Sequence, residues 1–399
     1  MKYMDGLTIR QKIWFSIRTC VYYFINSIFS IIPKKKNLVL FSAWFGQKYI
    51  DNTRYVYEYL LFNSDYKVLW LTKNINVYKS LKQEGKPVAL FNSFKGKWSQ
   101  IRAQAVFSTI QFSDYDYWLL SRCFFIDLSH GHPIKDPGQI VKNRMGQLIQ
   151  STILRRINYF AIVASNFSKN HYHDAVDIPK DRIFISDFAR NDVLFDETLR
   201  IGKNHIVDEM KKGRKAIVYM PTHRSDGKIK MNMAELLPLD KIQRLCEDKN
   251  YVFIIKKHYY HSSENEDLSN YSNIFDITHD DIDPQVLLYQ ADILISDYSA
   301  CFIDYMLLRR PLVFYQYDYD YFREKERSFY IDFKEINIAP IAYKREELYD
   351  AIMSVISSGD SYLENRMKFA KEVYFDNINH NNACKKIKDI LDSLMSGND

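Results

Sequence analysis

The stretch DILISDYSACFIDYMLLRRPLVFYQ, residues 292–316, contains an apolar run, a polar turn, a helical stretch and a second apolar run. The runs at 292–296 and 311–316 are almost continuously apolar, which is typical of parallel strands that helices cover on both faces. The polar residues at 297–299 stand where the first strand ends and the helix begins. This pattern predicts a strand–helix–strand unit of a parallel sheet.

The same alternation recurs along the chain beyond residue 36. β-Branched and aromatic runs form a first set at 37–43, 67–73, 87–93, 105–110, 124–129, 159–165 and 182–186. A second set lies at 216–221, 251–258, 273–277, 292–296 and 311–316. We therefore predict an α/β fold with two domains, each built on a parallel sheet, that face each other across a central cleft.

The domain limits follow from these two sets. An N-terminal domain is predicted at 37–195 and a C-terminal domain at 196–399, with a charged, helix-prone segment at 196–214 after the first set. Residues 1–36 precede the first strand as a separate segment. In open α/β sheets, ligands bind beyond the carboxyl ends of the strands, so functional side chains are expected there.

The N-terminal segment contains the apolar run IWFSIRTCVYYFINSIFSII (13–32), followed by PKKK (33–36). Arg18 interrupts the run, and the part from Thr19 to Ile32 is shorter than the roughly 20 residues that a spanning helix needs. We predict an amphipathic helix that lies in a membrane interface, with Lys34–Lys36 near anionic headgroups. A buried docking helix and an uncleaved anchor are the alternatives.

Composition sets broad limits on function. Lys and Arg total 55 against 49 Asp and Glu, which gives a net charge of +6. This mild excess suits anionic substrates or an anionic membrane surface and does not by itself indicate nucleic acid. The five cysteines are widely separated and form no CxxC pair, which disfavours a zinc or dithiol site and is typical of a reducing cytoplasm.

Polar side chains cluster where the predicted strands end. The four strand-end stretches are HGHPIK (130–135), THR (222–224), KKH (256–258) and DYS (297–299). The helix after DYS offers free backbone N–H groups to an anion, with Ser299 as an added hydroxyl donor. Arg224, Lys256 and Arg327 add cations. Each of these residues alone has an ordinary structural explanation, but together they predict a site for a pyrophosphate-like ligand.

Several other chemistries lack their motifs. The chain has no GxGxxG or Walker loop, which disfavours dinucleotide oxidoreductases and P-loop enzymes. It has no HExxH, no DxD-like pair at a suitable strand end and no GxSxG nucleophile elbow. We therefore predict no metal ligand and no cofactor, although dependence on a divalent ion is left open.

The motifs resemble those of the CDP-glycerol glycerophosphotransferases, which make teichoic acid and related poly(alditol phosphate) chains. The matching stretches are HGHP (130–133), PTHR (221–224), KKH (256–258), SDYSACFID (296–304), RRP (309–311) and RSFYID (327–332), with RND (190–192) and WFGQKYIDNTRYVYEYL (44–60). They occur in the family's order and cover nearly the whole chain. The resemblance implies a GT-B-like fold of two Rossmann-like domains.

The chain departs from the family pattern at a few positions. His132 stands where the family has Thr or Ala, and Tyr259 follows the KKH histidine where the family has Pro. Asp187 and Ala189 replace a glycine and a proline before RND, and NIAP (337–340) replaces a PGP-like stretch. These departures leave the reaction class intact and leave the alditol and the acceptor open.

The resemblance also implies roles for individual residues. His130 would be the catalytic base that takes the proton of the acceptor hydroxyl, and His258 would be the second catalytic histidine. The donor site would comprise Thr222, Arg224, Lys256, Asp297, Ser299, Asp304 and Arg327. Within it, Asp304 would face the ribose and the cations would hold the pyrophosphate.

The implied donor is CDP-glycerol or CDP-ribitol, and the implied acceptor is a polyprenyl-pyrophosphate-linked glycan at the cytoplasmic face of the cell membrane. The expected reaction transfers glycerol phosphate and releases CMP. Alternatives are a CDP-ribitol phosphotransferase, a GT-B glycosyltransferase that uses a nucleotide sugar, and an inactive scaffold subunit of a polysaccharide machine. Whether the chain acts as a primase or a polymerase stays open.

Overall fold

The computed structural model describes two α/β units. It covers residues 8–134, 152–153, 157–176, 178–200, 205–224, 228–258, 261, 266–280, 282–326, 329–375 and 382–397. The first unit comprises residues 1–130, 137–192 and 380–399, and the second comprises 131–136 and 193–379. The prediction of an α/β fold built on two parallel sheets is confirmed.

The first unit contains a seven-stranded parallel sheet in the order β3-β2-β1-β4-β5-β6-β7. Its strands are β1 Leu38–Phe41, β2 Lys67–Thr72, β3 Val88–Leu90, β4 Ala105–Ser108, β5 Phe124–Asp127, β6 Asn158–Val163 and β7 Ile183–Ile185. Its described helices are α1 Ile9–Ser30, α2 Asp51–Asn63, α3 Ile75–Gln83, α4 Phe94–Arg102, α5 Asn166–Val176 and, at the end of the chain, α14 Ala383–Ser396. The central strands β1, β4 and β5 are buried along their whole length, as their apolar sequences predict.

The second unit contains a six-stranded parallel sheet in the order β10-β9-β8-β11-β12-β13. Its strands are β8 Lys215–Met220, β9 Tyr251–Ile255, β10 Ile274–Asp276, β11 Ile293–Ser296, β12 Leu312–Tyr315 and β13 Ile341–Ala342. Its described helices are α6 His205–Lys211, α7 Met233–Leu236, α8 Leu239–Lys249, α9 Pro284–Gln290, α10 Cys301–Met306, α11 Tyr319–Tyr321, α12 Arg345–Ser357 and α13 Leu363–Phe369.

Both sheets reverse their winding direction next to their first strand. In the first unit β1 lies between β2 and β4, and in the second unit β8 lies between β9 and β11. At such a switch point the connections leave the sheet on opposite sides, and a crevice opens beyond the carboxyl ends of the strands. The loops after β1 and β4, and those after β8 and β11, are therefore the places for a ligand in each unit.

The observed units differ from the predicted domain limits at the C-terminus, at residues 131–136 and by a few residues near 195. The C-terminal helix α14 belongs to the first unit because its start is bound there. The carboxylate of Asp192 accepts hydrogen bonds from the backbone N–H groups of Ala383 and Cys384, both at 2.9 Å. Further along, the Tyr66 hydroxyl donates to Asp392 Oδ1 at 2.7 Å. These contacts join residues that are 191, 192 and 326 positions apart in the sequence. Local sequence patterns do not reveal contacts over such separations.

Helix α1 begins with a capping box formed by Thr8 and Gln11 and docks on the first unit through one face. Tyr22 is buried there and packs against the rings of Tyr117 and Trp118. Asn26 Nδ2 donates to the backbone carbonyl of Leu120. None of the helices among the described residues is both long enough and apolar enough to cross a membrane.

Candidate active site

The loops at the switch point of the first sheet have an unusual backbone conformation. Trp44 and Phe45 after β1, Gln111 after β4 and Ser129 after β5 all have φ between 45° and 60°. Residues other than glycine adopt this left-handed region only at a cost, and such conformations concentrate at functional sites. The strained loops therefore coincide with the place where the topology predicts a ligand.

The fully buried carboxylate of Asp114 ties two of these loops together. It accepts a hydrogen bond from the backbone N–H of Phe45 at 2.7 Å and from the Ser108 hydroxyl at 2.8 Å. It also accepts from the backbone N–H groups of Thr109 at 3.0 Å and Ile110 at 3.1 Å. Asp114 thus supplies the acceptor for three backbone N–H groups in the loops after β1 and β4.

His130 is exposed at the end of β5, and the Asp114-braced loop holds its ring. Its Nδ1 atom lies 3.3 Å from the Thr109 carbonyl oxygen, and its ring stands edge-on to the Trp44 indole with centroids 6.2 Å apart. A carbonyl oxygen only accepts hydrogen bonds, so this contact places the proton on Nδ1. The Nε2 atom then carries the lone pair, which is the tautomer that a general base requires.

The RND segment supports the backbone of His130. The Arg190 guanidinium donates through Nη1 to the His130 carbonyl at 2.7 Å and to Asp51 Oδ1 at 3.0 Å. The Asn52 side chain accepts from the Arg190 backbone N–H at 3.1 Å and donates to the Ser129 carbonyl at 3.0 Å. Two of the stretches that resemble family motifs, 44–60 and 190–192, thus meet at the histidine turn.

A buried carboxylate lies close behind the same turn. Asp127 Oδ2 accepts hydrogen bonds from the hydroxyls of Tyr159, at 2.7 Å, and Tyr172, and Oδ1 accepts from the Ser129 N–H at 2.8 Å. Burial raises the pKa of Asp127, while these hydrogen bonds and the nearby His130 act in the opposite direction.

In the second unit, Asp297 joins the ends of β8 and β11. Its fully buried carboxylate accepts from the Thr222 backbone N–H at 2.9 and 3.0 Å and from the Thr222 hydroxyl at 2.8 Å. It also accepts from the Tyr298 N–H. Asp297 does not cap α10, whose N-cap residue is Ala300 without a side-chain hydrogen bond.

Arg224 lies beneath the surface with only 2% of its area exposed. Its guanidinium donates to both oxygens of Asp318 at 2.6 and 3.0 Å, to Asp297 Oδ2 at 3.0 Å and to the Thr222 carbonyl. Three aromatic rings surround it, those of Tyr298, Tyr317 and Phe322. Burial alone would lower the pKa of Arg224, but Asp297 and Asp318 raise it above its ordinary value, so the group stays charged.

Two histidines meet at the adjacent ends of β8 and β9. The rings of His223 and His258 have centroids 4.7 Å apart with an interplanar angle of 48°. Lys256, at the end of β9, donates through Nζ to the carbonyl oxygens of Ile277, at 3.0 Å, and Asp280. All three side chains are half-buried, and they place cationic or protonatable groups beside the Thr222–Asp297 pair.

The two remaining described members of the predicted donor site follow β11. Ser299 is half-buried, and its Oγ lies 3.5 Å from the Cys301 N–H at the start of α10. Asp304, one turn into α10, is buried against Gln285 and His132. Arg327 lies outside the described residues. The structure therefore brings Thr222, Arg224 and Asp297 into direct contact. The segments that follow strands β9 and β11 of the same sheet carry Lys256, His258, Ser299 and Asp304. His130 lies in the first unit.

The predicted site residues did not include Asp114, Asp127, His223 or Asp318, which belong to these networks. Asp127 lies inside the predicted run at 124–129, and only the observed end of β5 makes it a strand-end residue. Asp318 follows the predicted run at 311–316 by two residues, so a full count of strand-end side chains would have included it. His223 stands inside the PTHR stretch. Within the described part of the chain, no group of three or more His, Cys, Asp or Glu side chains could hold a metal ion.

Comparison with known proteins gives a consistent picture. The sequence model of the CDP-glycerol:poly(glycerophosphate) glycerophosphotransferase family matches residues 24–391. A teichoic acid glycerol-phosphate transferase of Staphylococcus aureus is 27% identical over 89% of this chain and 93% of its own length. A teichoic acid poly(glycerol phosphate) polymerase of Bacillus spizizenii is 28% identical over 84% and 88%. The solved wall teichoic acid polymerase TagF superposes with a TM-score of 0.74 at 22% identity and covers 98% of this chain and 99% of that one.

Proposed function

The chain belongs to the CDP-glycerol:poly(glycerophosphate) glycerophosphotransferase family and is a transferase, and we propose that it transfers glycerol phosphate from CDP-glycerol. The acceptor is the terminal hydroxyl of a membrane lipid-linked glycan or of a growing poly(glycerol phosphate) chain, and CMP is released, in teichoic acid or capsule synthesis. The observation that carries the proposal is the exposed His130, whose Nδ1 faces the Thr109 carbonyl and whose Nε2 is left as the base.

In the proposed reaction, His130 Nε2 takes the proton of the acceptor hydroxyl as its oxygen attacks the β-phosphorus of CDP-glycerol. The new O–P bond forms while the bond from the β-phosphorus to the oxygen of CMP breaks, and CMP leaves with both electrons of that bond. Negative charge on the pyrophosphate is balanced by Lys256 and His258, with the half-buried Ser299 hydroxyl as a further donor.

The hydrogen bonds of the buried Asp297 carboxylate have a supporting role in this proposal. Asp297 and Arg224 hold the Thr222 turn at the end of β8 through hydrogen bonds of 2.8–3.0 Å. A rigid turn keeps the neighbouring His258 and Lys256 in place, and pre-organised charges stabilise a developing anion better than mobile ones do. No resident metal ion is required by this scheme, so dialysis against EDTA should leave turnover unchanged.

The decisive experiment measures CMP release by the purified full-length chain with CDP-glycerol, or separately CDP-ribitol, and a lipid-linked glycan acceptor. His130→Ala should reduce kcat by about 10²–10⁴-fold, the range typical of general-base removal. His205→Ala, at an exposed position outside these networks, is the matched control. Turnover of His130→Ala near the wild-type rate would reject the base assignment, and turnover of CDP-ribitol alone would reject CDP-glycerol as the donor.

Membrane association through α1 is the second part of the proposal. The helix face opposite the docked Tyr22 leaves large apolar side chains in solvent: Ile9, Ile13, Trp14, Ile17, Val21, Phe24 and Ile28. The exposed Lys35 and Lys36 follow, and Arg102 of α4 donates to the Pro33 carbonyl, which brings the exposed ring of Trp98 near the same end. An apolar stripe with a basic end suits an anionic bilayer surface, and we propose the cytoplasmic face of the cell membrane as the location.

Sedimentation with lipid vesicles tests whether α1 binds an anionic membrane surface. Ile17 and Phe24 are 60% and 68% exposed, so Ile17→Glu and Phe24→Glu should weaken binding to anionic vesicles without lowering the thermal midpoint. Ile75→Glu, at another exposed isoleucine, is the control. Undiminished sedimentation of the α1 double variant would exclude α1 as the membrane contact.

A further inference from the structure

His132 follows His130 by two residues, and its surroundings lie in the second unit. Its side chain is fully buried, and Nε2 lies 3.3 Å from Asp304 Oδ1, whose side chain is only 3% exposed. The imidazole packs edge-on against the rings of Tyr374 and Phe375, each with its centroid 5.1 Å away. A side chain so enclosed is unavailable to solvent or to a large acceptor.

The Asp304 carboxylate faces protein groups on both oxygens. Oδ2 accepts a hydrogen bond from Gln285 Nε2 at 3.0 Å, and Oδ1 faces His132 Nε2. At 3.3 Å, His132 Nε2 lies within ion-pair distance of Asp304 Oδ1, and the contact is electrostatic because it does not have the geometry of a hydrogen bond. Burial of a carboxylate is unfavourable unless such donors compensate it. Protein groups therefore face both oxygens of Asp304: Gln285 donates to Oδ2, and His132 lies within ion-pair distance of Oδ1.

The residues that follow His132 are held by the same unit. The Tyr374 hydroxyl donates to the Pro133 carbonyl at 3.4 Å, and the backbone N–H of Tyr330 donates to the Ile134 carbonyl at 2.8 Å. The His132–Asp304 contact is the only one of these three that involves a side chain of the turn itself. Because a single glycine separates His132 from His130, the position of this turn restricts the backbone of the base.

We propose that His132 is a positioning residue: through Asp304 it anchors the turn that follows the base His130 to helix α10 of the donor-binding unit. Asp304 serves this anchor rather than the ribose of the donor. The effect on turnover rests on the proposed function, whereas the contact between the two side chains does not. Displacing a catalytic group by about 1 Å can cost about 10²-fold in rate, so loss of the anchor acts mainly on kcat.

The test is a double-mutant cycle with His132→Ala, Asp304→Asn and the combined variant, followed first by thermal unfolding without substrate. Both single changes should lower the midpoint, and the double variant should be no less stable than the weaker single, because the two side chains share one contact. His132→Gln, which restores an N–H donor, should recover part of the loss, and His205→Ala should have no effect. Additive losses in the cycle would overturn the proposal.

Kinetics with CDP-glycerol give the second measurement. We expect His132→Ala and Asp304→Asn each to lower kcat by about 10–100-fold with KM for CDP-glycerol within about threefold of wild type, again without additivity. A KM increase confined to Asp304→Asn would assign Asp304 to the donor and overturn the anchor. If the wild-type chain releases no CMP from CDP-glycerol, the proposed function fails, and the unfolding cycle alone then supports or overturns the His132–Asp304 anchor.

Discussion

Replacing Arg224 with methionine should destabilise the protein strongly while leaving donor binding nearly intact. The guanidinium is 2% exposed and binds Asp297, Asp318 and the Thr222 carbonyl. Methionine fills a similar volume and removes the charge, so Asp297 stays fully buried without its cation. Methionine therefore tests the charge rather than the packing.

The magnitude follows from the burial of the two carboxylates. Breaking a buried ion pair by removing one partner costs about 3–5 kcal/mol. Asp297 is fully buried, but the Asp318 side chain is 15% exposed and water can partly replace its partner. We therefore expect the lower end, about 3 kcal/mol, which lowers the thermal midpoint of a unit of this size by about 6–12 °C. Lysine keeps the charge but not the forked donor geometry, so Arg224→Lys should lie between wild type and Arg224→Met.

Differential scanning calorimetry and CMP release are the two assays. If Arg224 holds the turn rather than the donor, KM for CDP-glycerol in Arg224→Lys should stay within about threefold of wild type, less than ~1 kcal/mol of binding free energy. Arg323→Lys, an exposed arginine of the same unit, is the control. An unchanged midpoint together with a tenfold or larger rise in KM would refute this reasoning and return Arg224 to the pyrophosphate.

Three further predictions concern the buried carboxylates of the first unit. Because burial raises the pKa of Asp127, stability should fall as the pH rises from the ordinary aspartate range through the raised pKa, and urea unfolding of Asp127→Asn should lack that part of the pH dependence. Asp192→Ala removes the acceptor for two N–H groups at the start of α14 and should cost about 1–2 kcal/mol in urea unfolding. Asp114→Ala leaves the Thr109 loop without its acceptor and should lower kcat more than it changes KM, as steady-state CMP release will show.

The strands were predictable because burial on both faces leaves a direct mark on sequence. Each predicted run overlaps an observed strand, and the one strand that was missed among the described residues, Ile341–Ala342, is too short to form a pattern. The placement of α14 was not predictable, because it depends on Asp192 binding backbone N–H groups roughly 190 residues further along the chain. A backbone donor has no sequence signature, so such a cap cannot be inferred from residue types alone.

For the candidate site, the sequence predicted which side chains lie at the strand ends, but not which of them face a ligand. Strand-end position alone located Thr222, Arg224, Lys256, His258 and Asp297 on one sheet edge. It did not distinguish a cation that faces a ligand from one that neutralises buried carboxylates, because both require the same side chain. That distinction depends on Asp318, which lies 94 residues from Arg224.

The charges left near the surface at this edge favour a particular kind of donor site. Arg224 is enclosed by carboxylates, and the half-buried cationic or protonatable groups at this edge, within the described part of the chain, include Lys256 and the paired rings of His223 and His258. Two imidazoles in contact repel each other when both are protonated, and a bound pyrophosphate removes that penalty by supplying negative charge. This edge therefore favours an anionic group over a neutral one as its ligand.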